Sequence, residues 1–223
     1  RKVLEENGWT FSKVDIMDEF GDAPLPIKGG LHLKEIMVGK HFFDYDSMLV
    51  LTHFKGHGMG GFGGSLKNIA IGCASAEHGK KQVHNVQPDG SWPRGAGFME
   101  HMADVGKGIV DHFGRKIAFV NVLRNMSIDC DCAGVAASTP TLPDLGIFAS
   151  TDLVAIDQAS IDLVYSLPDW VKHTFVKRVE SREGLRQLST MKEIGVGTGE
   201  YRIVRVLDKK PGQRPLEDGT DEA

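Results

Sequence analysis

Three cysteines in 223 residues are an odd and small number. They exclude a disulfide framework and suit a reducing compartment, so a cytoplasmic location is the expectation. There is no basic excess: 26 Lys and Arg stand against 30 Asp and Glu, a net charge of −4 and a pI of about 6.1. That balance argues against a nucleic-acid partner, and the lack of a polybasic run argues against a membrane surface. No apolar stretch approaches the roughly 18 residues of a spanning helix, and none resembles a signal segment. There is no internal repeat. An initiating Met is missing as well: the start, Arg1-Lys2-Val3, reads as a fragment, a processed chain or a trimmed one.

What remains is ordinary globular material, 41% apolar and 25% charged, in a chain long enough to bury a full core. The pattern predicts one α/β domain over residues 1–208, with a mostly parallel or mixed sheet and helices on both faces. A flexible tail rich in Pro, Gly, Asp and Glu is expected over 209–223. A short helix is expected to stop at Gly8. Short strands are expected at Val14–Met17 and Glu35–Val38, and a buried strand at Met48–Thr52. Ser65 is placed to cap a helix over Ser65–Cys73. A long polar loop is expected over residues 75–96. Phe98, Met102, Val105 and Ile109 recur at helical spacing up to Gly114. A continuous apolar strand is predicted over Lys116–Val122, a short one over Gly146–Ala149, and a helix over Leu153–Tyr165 behind the capping cluster Ser150-Thr151-Asp152. A helix over Leu185–Ile194 and a strand over Tyr201–Val206 close the chain. If the strands share one sheet, the loops that follow Thr52, Val122 and Ala149 converge on its carboxyl edge, where such sheets bind ligands.

One stretch stands apart: HFKGHGMGGFGGSLKNI, residues 53–69, with six glycines among the nine residues from Gly56 to Gly64. Glycine is costly to order and is kept where backbone turns tightly or approaches something closely. The stretch lacks the Gly-Lys-Ser/Thr ending of a P-loop. Its G-x-G-x-x-G match, Gly58 to Gly63, is weak, because any glycine-dense string contains one. Exposed amides with Lys55 and Lys67 point to an anion, a carboxylate or a phosphate. The alternative is a tightly wound connection. His53 and His57 can supply metal ligands, or polar packing.

The second oddity is Asp129-Cys130-Asp131-Cys132. Two thiols one residue apart between carboxylates suit a soft metal, zinc or iron. Cys73, with His53, His57, His78 or His84, can complete such a site. The bland reading is a cluster of small thiols. An all-cysteine 4Fe–4S cluster usually wants four ligands, so this chain cannot supply one alone. Asp157 falls within an apolar helix face and needs a partner, either structural or in the site. His101, His112 and His173 read as surface residues.

The strings HFKGHGMGGFGGSLKNIAIGCAS, NVLRNMSIDCDC and PDLGIFASTDLVAIDQAS resemble, in order, the uncharacterised "Fe–S centre protein" family, domain of unknown function 362. The resemblance covers most of residues 41–165. Many members carry a ferredoxin-like insertion with two four-cysteine motifs for 4Fe–4S clusters. Here the corresponding interval, residues 76–97, has no cysteine. The resemblance therefore implies the α/β core without that cofactor, and without the N-terminal part of longer members. The motif positions it retains are His53, Lys55, His57, Gly63, Gly64, Lys67, Asn68, Cys73, Asp129, Cys130, Asp131, Cys132 and Asp157.

Together these readings lead to an expected function: binding of a metal ion or small anionic ligand at a Gly/His/Cys-rich site in a redox-associated setting. The metal ligands would be His53, His57, Cys73, Cys130 and Cys132. Lys55, Gly63, Gly64, Lys67, Asn68, Asp129, Asp131 and Asp157 would serve the ligand. The alternatives are a metal-independent enzyme acting on a carboxylate or phosphate, and a non-catalytic scaffold. A homo-oligomer is left open.

Overall fold

The computed structural model describes residues 1–206; the tail expected over 209–223 lies outside the described residues. In chain order the elements are α1 (Lys2–Glu6), β1 (Asp22–Pro26), β2 (Glu35–Gly39), β3 (Met48–His53), β4 (Lys55–His57), β5 (Gly61–Gly63), α2 (Ser65–Cys73), α3 (Gly79–Val83), α4 (Ala96–Phe113), β6 (Ile117–Leu123), β7 (Gly146–Ser150), α5 (Leu153–Tyr165), α6 (Asp169–Glu180) and α7 (Arg186–Glu193). The class is α/β.

The central sheet has the order β3-β6-β7 and is mixed. β3 and β6 are parallel, with Met48 opposite Ile117 and His53 opposite Val122. β7 runs the other way, with Gly146 opposite Leu123 and Ser150 opposite Phe119. The carboxyl edge of β3 and β6 therefore receives two of the three expected loops. The Ser150–Asp152 turn leaves from the opposite direction.

Alternation along the strands sets the two faces. Val50, Thr52, Phe119 and Asn121 are buried, while Leu49, Leu51 and Ile147 are 63%, 66% and 68% exposed. α2 and α5 cover the buried face. Asn68 of α2 donates to Thr52 Oγ1 at 2.8 Å, and Asn121 Nδ2 donates to Asp157 of α5 at 2.9 Å. α4 packs behind α2 and against α7. Both connections out of the sheet thus lie on one side, and among the described residues the helices expected on a second face are not there. β3, expected to be a buried strand, is buried on one face only.

Other boundaries shift for local reasons. Gly64, not Ser65, caps α2. The Ser65 hydroxyl instead donates to Asn121 Oδ1 at 2.7 Å. The 75–96 loop contains α3. Val14–Met17 and Tyr201–Val206 form no strand. β1, with Pro24 and Pro26, pairs β2 antiparallel in a separate two-stranded sheet; prolines are tolerated on such edges. The capping reading of Asp152 holds, since its carboxylate accepts from Val154 N and Ala155 N. Of the histidines read as surface residues, His112 and His173 are exposed. His101 is buried, 8% exposed, stacked on His32 and bonded to Gly97 O.

Candidate functional site

The glycine stretch is a β-hairpin. β4 and β5 pair antiparallel, with Lys55 opposite Gly63 and His57 opposite Gly61. It continues straight out of β3, where Phe54 N donates to Val122 O at 3.0 Å. The loop after β6 is laid against it. Gly56 N donates to Ser127 O at 2.8 Å, and a Cβ on Gly56 would sit 2.2 Å from Ile128 O. Only glycine allows that approach. It brings Cys130, Asp131 and Cys132 onto the hairpin.

A second close approach starts α2. Asp157 Oδ1 accepts from Ser65 N at 2.7 Å and Oδ2 from Leu66 N at 2.9 Å, while a Cβ on Gly64 would sit 2.4 Å from Oδ1. The positive end of α2 is thus occupied by the chain's own carboxylate. Burial pushes that carboxyl above its usual range, against the pull of Asn121 and the two amides. The amides expected to cradle an external anion are, at these two positions, already used. Asp157 is a buried internal cap.

The side chains that converge beside the hairpin are His53, Lys55, His57, Lys67, Cys130, Asp131 and Cys132. His53 Nδ1 meets the Asp131 carboxylate at 3.0 Å, and its Nε2 meets Arg124 O at 2.7 Å. Lys55 Nζ pairs with Asp131 at 3.1 Å. Burial raises the Asp131 carboxyl, but His53 and Lys55 together bring it below its ordinary value. Lys67 Nζ lies 3.7 Å from Cys130 Sγ, and the Cys132 amide donates to the same sulfur at 3.4 Å.

The two thiols differ. Burial pushes the Cys130 thiol up, but the Cys132 thiol and amide, then Lys67 and Lys55, outweigh it and leave Cys130 below its ordinary value. Cys132 is held above its ordinary value by burial, by its hydrogen bond to Cys130 and by the charge there. A ring nitrogen of His57 and the two sulfurs lie within 4.8 Å of one another, so this His/Cys group can hold a metal ion. His57 Nδ1 accepts from Gly60 N at 2.8 Å and Met59 N at 3.2 Å. The proton of the neutral ring therefore sits on Nε2. Burial, then Lys67 and Lys55, lower this imidazole to about 4, which keeps it neutral at pH 7.

A cleft of about 380 Å³ opens here, lined by His53, Lys55, Gly64, Lys67, Asn68 and Asp131 among others. Gly63 lies between the two lysine stems; a Cβ there would make ordinary contacts of 3.7 and 3.8 Å with them. A larger cavity, about 510 Å³, lies between β7, α5 and residues 201–206 and holds none of the predicted site residues.

Three predicted residues fall elsewhere. Cys73 is at the far end of α2 in the apolar core, where burial pushes its thiol to about 12. It is not part of the His57–Cys130–Cys132 group. Asp129 faces away and accepts from Arg178 Nη1 of α6 at 3.0 Å and from Ser138 N at 3.0 Å. Asp157 is the cap described above. Asn68 uses its amide on Leu51 O and Thr52 Oγ1, bracing the cleft wall. Arg178, which also donates to Ile128 O at 3.1 Å, ties the cysteine loop to α6. No sequence pattern marked it.

The geometry defines an α/β protein with a cleft lined by two lysines at the carboxyl edge of its sheet, and with Cys130 at 3.7 Å from one of them. The model of the family described as "Domain of unknown function (DUF362)" matches residues 1–162, and the chain belongs to that family. No curated protein and no solved structure matches it. The match reaches into α5 and includes every predicted site residue, but stops before Arg178. A 4Fe–4S cluster asks for four thiolates. With three cysteines, one of them remote in the core, these residues do not fit it. Among the described residues no helix is long and apolar enough to cross a membrane.

Proposed function

We propose that the cleft binds a small anionic ligand, a carboxylate or phosphate, between Lys55 and Lys67 and beside the Cys130–Cys132 thiols. The observation that carries this reading is the situation of Lys67. Its ammonium is half-buried on the cleft wall and, among the described residues, leans on a sulfur at 3.7 Å. A thiol that far away is a weak partner, so a bound oxyanion gains a strong, charge-assisted one. Lys55 stands across Gly63 from it, and the His57 Nε2–H adds a neutral donor to the neighbourhood. Held there, a ligand's electrophilic carbon or phosphorus would lie near a thiol, which suits an enzyme acting on such substrates.

A second reading has its own observation, the three donors within 4.8 Å. Two thiolates and an imidazole suit zinc or iron. To ligate, His57 would have to free a nitrogen lone pair by releasing the hairpin amides or its Nε2 proton, and two lysines oppose any cation. The anion reading asks for neither change.

Calorimetric titration with inorganic phosphate and with malonate separates the two. Binding of either, weakened roughly tenfold or more in Lys67→Met and unaffected by a chelator, supports the anion site. Identical affinity in Lys67→Met sinks it. Zinc bound at one ion per chain, lost in Cys132→Ser, would favour the metal.

A further inference from the structure

Cys130 and Cys132 form a pair with divided roles. Cys130 is 6% exposed, while Cys132 is exposed. Their sulfurs lie within 4.8 Å of one another. Cys130 sits where the backbone turns into a short helical segment, Asp131–Ala136, and its sulfur already accepts from the Cys132 amide. Joining the two sulfurs requires closing that gap to the ~2.05 Å of a disulfide bond. Lys67 Nζ at 3.7 Å stabilises negative charge on the inner sulfur. Cys73, the third thiol, is sequestered in the core and does not compete.

We propose that Cys130 and Cys132 are a dithiol–disulfide couple that exchanges electrons with small external disulfides, Cys132 as the entry thiol and Cys130 as the resolving one. This goes beyond the ligand reading and stands without it. In the first step the exposed Cys132 sulfur, its proton passing to the Cys130 thiolate beside it, attacks one sulfur of an external disulfide. That S–S bond breaks, one thiolate leaves, and a mixed disulfide forms on Cys132. Cys130 then gives that proton up again, and its thiolate attacks the Cys132 sulfur. The mixed disulfide breaks, the second thiolate leaves, and a Cys130–Cys132 bond forms. Two electrons pass from the protein dithiol to the external disulfide, and the two departing thiolates take up the two protons the cysteines lost. An external dithiol drives the same steps backwards.

The probe is 2,2′-dipyridyl disulfide, which is uncharged, so binding of anions does not decide the outcome. The full chain is treated with an excess, released pyridinethione is counted, and the intact and digested protein are weighed. The expected result is two pyridinethiones per chain, no retained adduct, a disulfide within the peptide spanning Cys130 and Cys132, and a reduced Cys73. Cys130→Ser is expected to release one pyridinethione and keep the adduct on Cys132. A wild-type chain that keeps the adduct, or remains unmodified at both positions, overturns the proposal without recourse to any variant.

Discussion

Gly56 and Gly58 stand two residues apart in the same hairpin, and their surroundings have little in common. A Cβ on Gly56 would meet Ile128 O at 2.2 Å, whereas one on Gly58 would meet nothing within 4 Å. Gly64 and Gly63 repeat the contrast. A Cβ on the first would be pressed against Asp157 at 2.4 Å, whereas one on the second would make only ordinary contacts with two lysine stems. The glycine-rich segment therefore has an inner side, closed by the chain's own carbonyl and carboxylate, and an outer side that is free. A glycine cluster read as a ligand loop is in half of its positions a packing device, and the ligand-facing half is defined by the lysines.

The sharpest way to break this comparison is to add one methyl group on each side. Gly56→Ala and Gly64→Ala are each expected to destabilise by about 3 kcal/mol, because the Ile128 backbone must move in the first and the buried Asp157 carboxylate in the second. Gly58→Ala is expected to stay within about 0.5 kcal/mol. Chemical denaturation of the three variants checks this, and equal effects would dissolve the distinction. Next in size, Asp157→Asn would turn a donor toward amides that now donate, at a cost of about 2 kcal/mol. The expected signature is fraying of α2, read as faster hydrogen exchange of the Asn68 and Ile69 amides than in the wild type. Unchanged exchange would deny Asp157 its capping role.

A smaller effect depends on pH. Burial, with Lys67 and Lys55, holds His57 down at about 4 against an ordinary 6.5. Between those values the unfolded chain takes up a proton that the folded chain refuses. His57 thus leaves stability undiminished above about pH 6.5 and reduces it as pH falls toward 4. His57→Gln is expected to flatten the stability profile over that interval. A profile that keeps its slope places the titrating group elsewhere.

The inner side was the less legible of the two. Helical spacing marks α4 directly, because burial on one side leaves a periodic trace, and the apolar run with its Asp152 cap marks α5, because burial on most sides leaves a continuous one. Strand direction leaves none: Gly146–Ser150 reads the same parallel or antiparallel, and the turn after it leaves from the edge opposite to the expected one. α6 went unseen because its polar residues and exposed Trp170 carry little pattern. The hairpin was hidden by its own glycines, which argue against a strand until a close neighbour explains them. At the site, residue types pointed to Lys55, Lys67, Cys130 and Cys132, and the fold does bring them together. What types cannot tell is which carboxylate faces the cleft. Asp129, Asp131 and Asp157 look alike in the chain, yet one is clamped by Arg178, one is paired to Lys55 and His53 at the cleft, and one is sealed beneath α2.

The outer side is proposed to gather anions at the thiols. Alkylation by iodoacetate against iodoacetamide tests it most directly, since the two reagents deliver related groups and differ in charge. Lysines that concentrate anions predict an iodoacetate-to-iodoacetamide rate ratio for Cys132 above that of free cysteine, falling roughly tenfold in Lys67→Met. A ratio equal to free cysteine and unchanged in Lys67→Met would contradict the anion site.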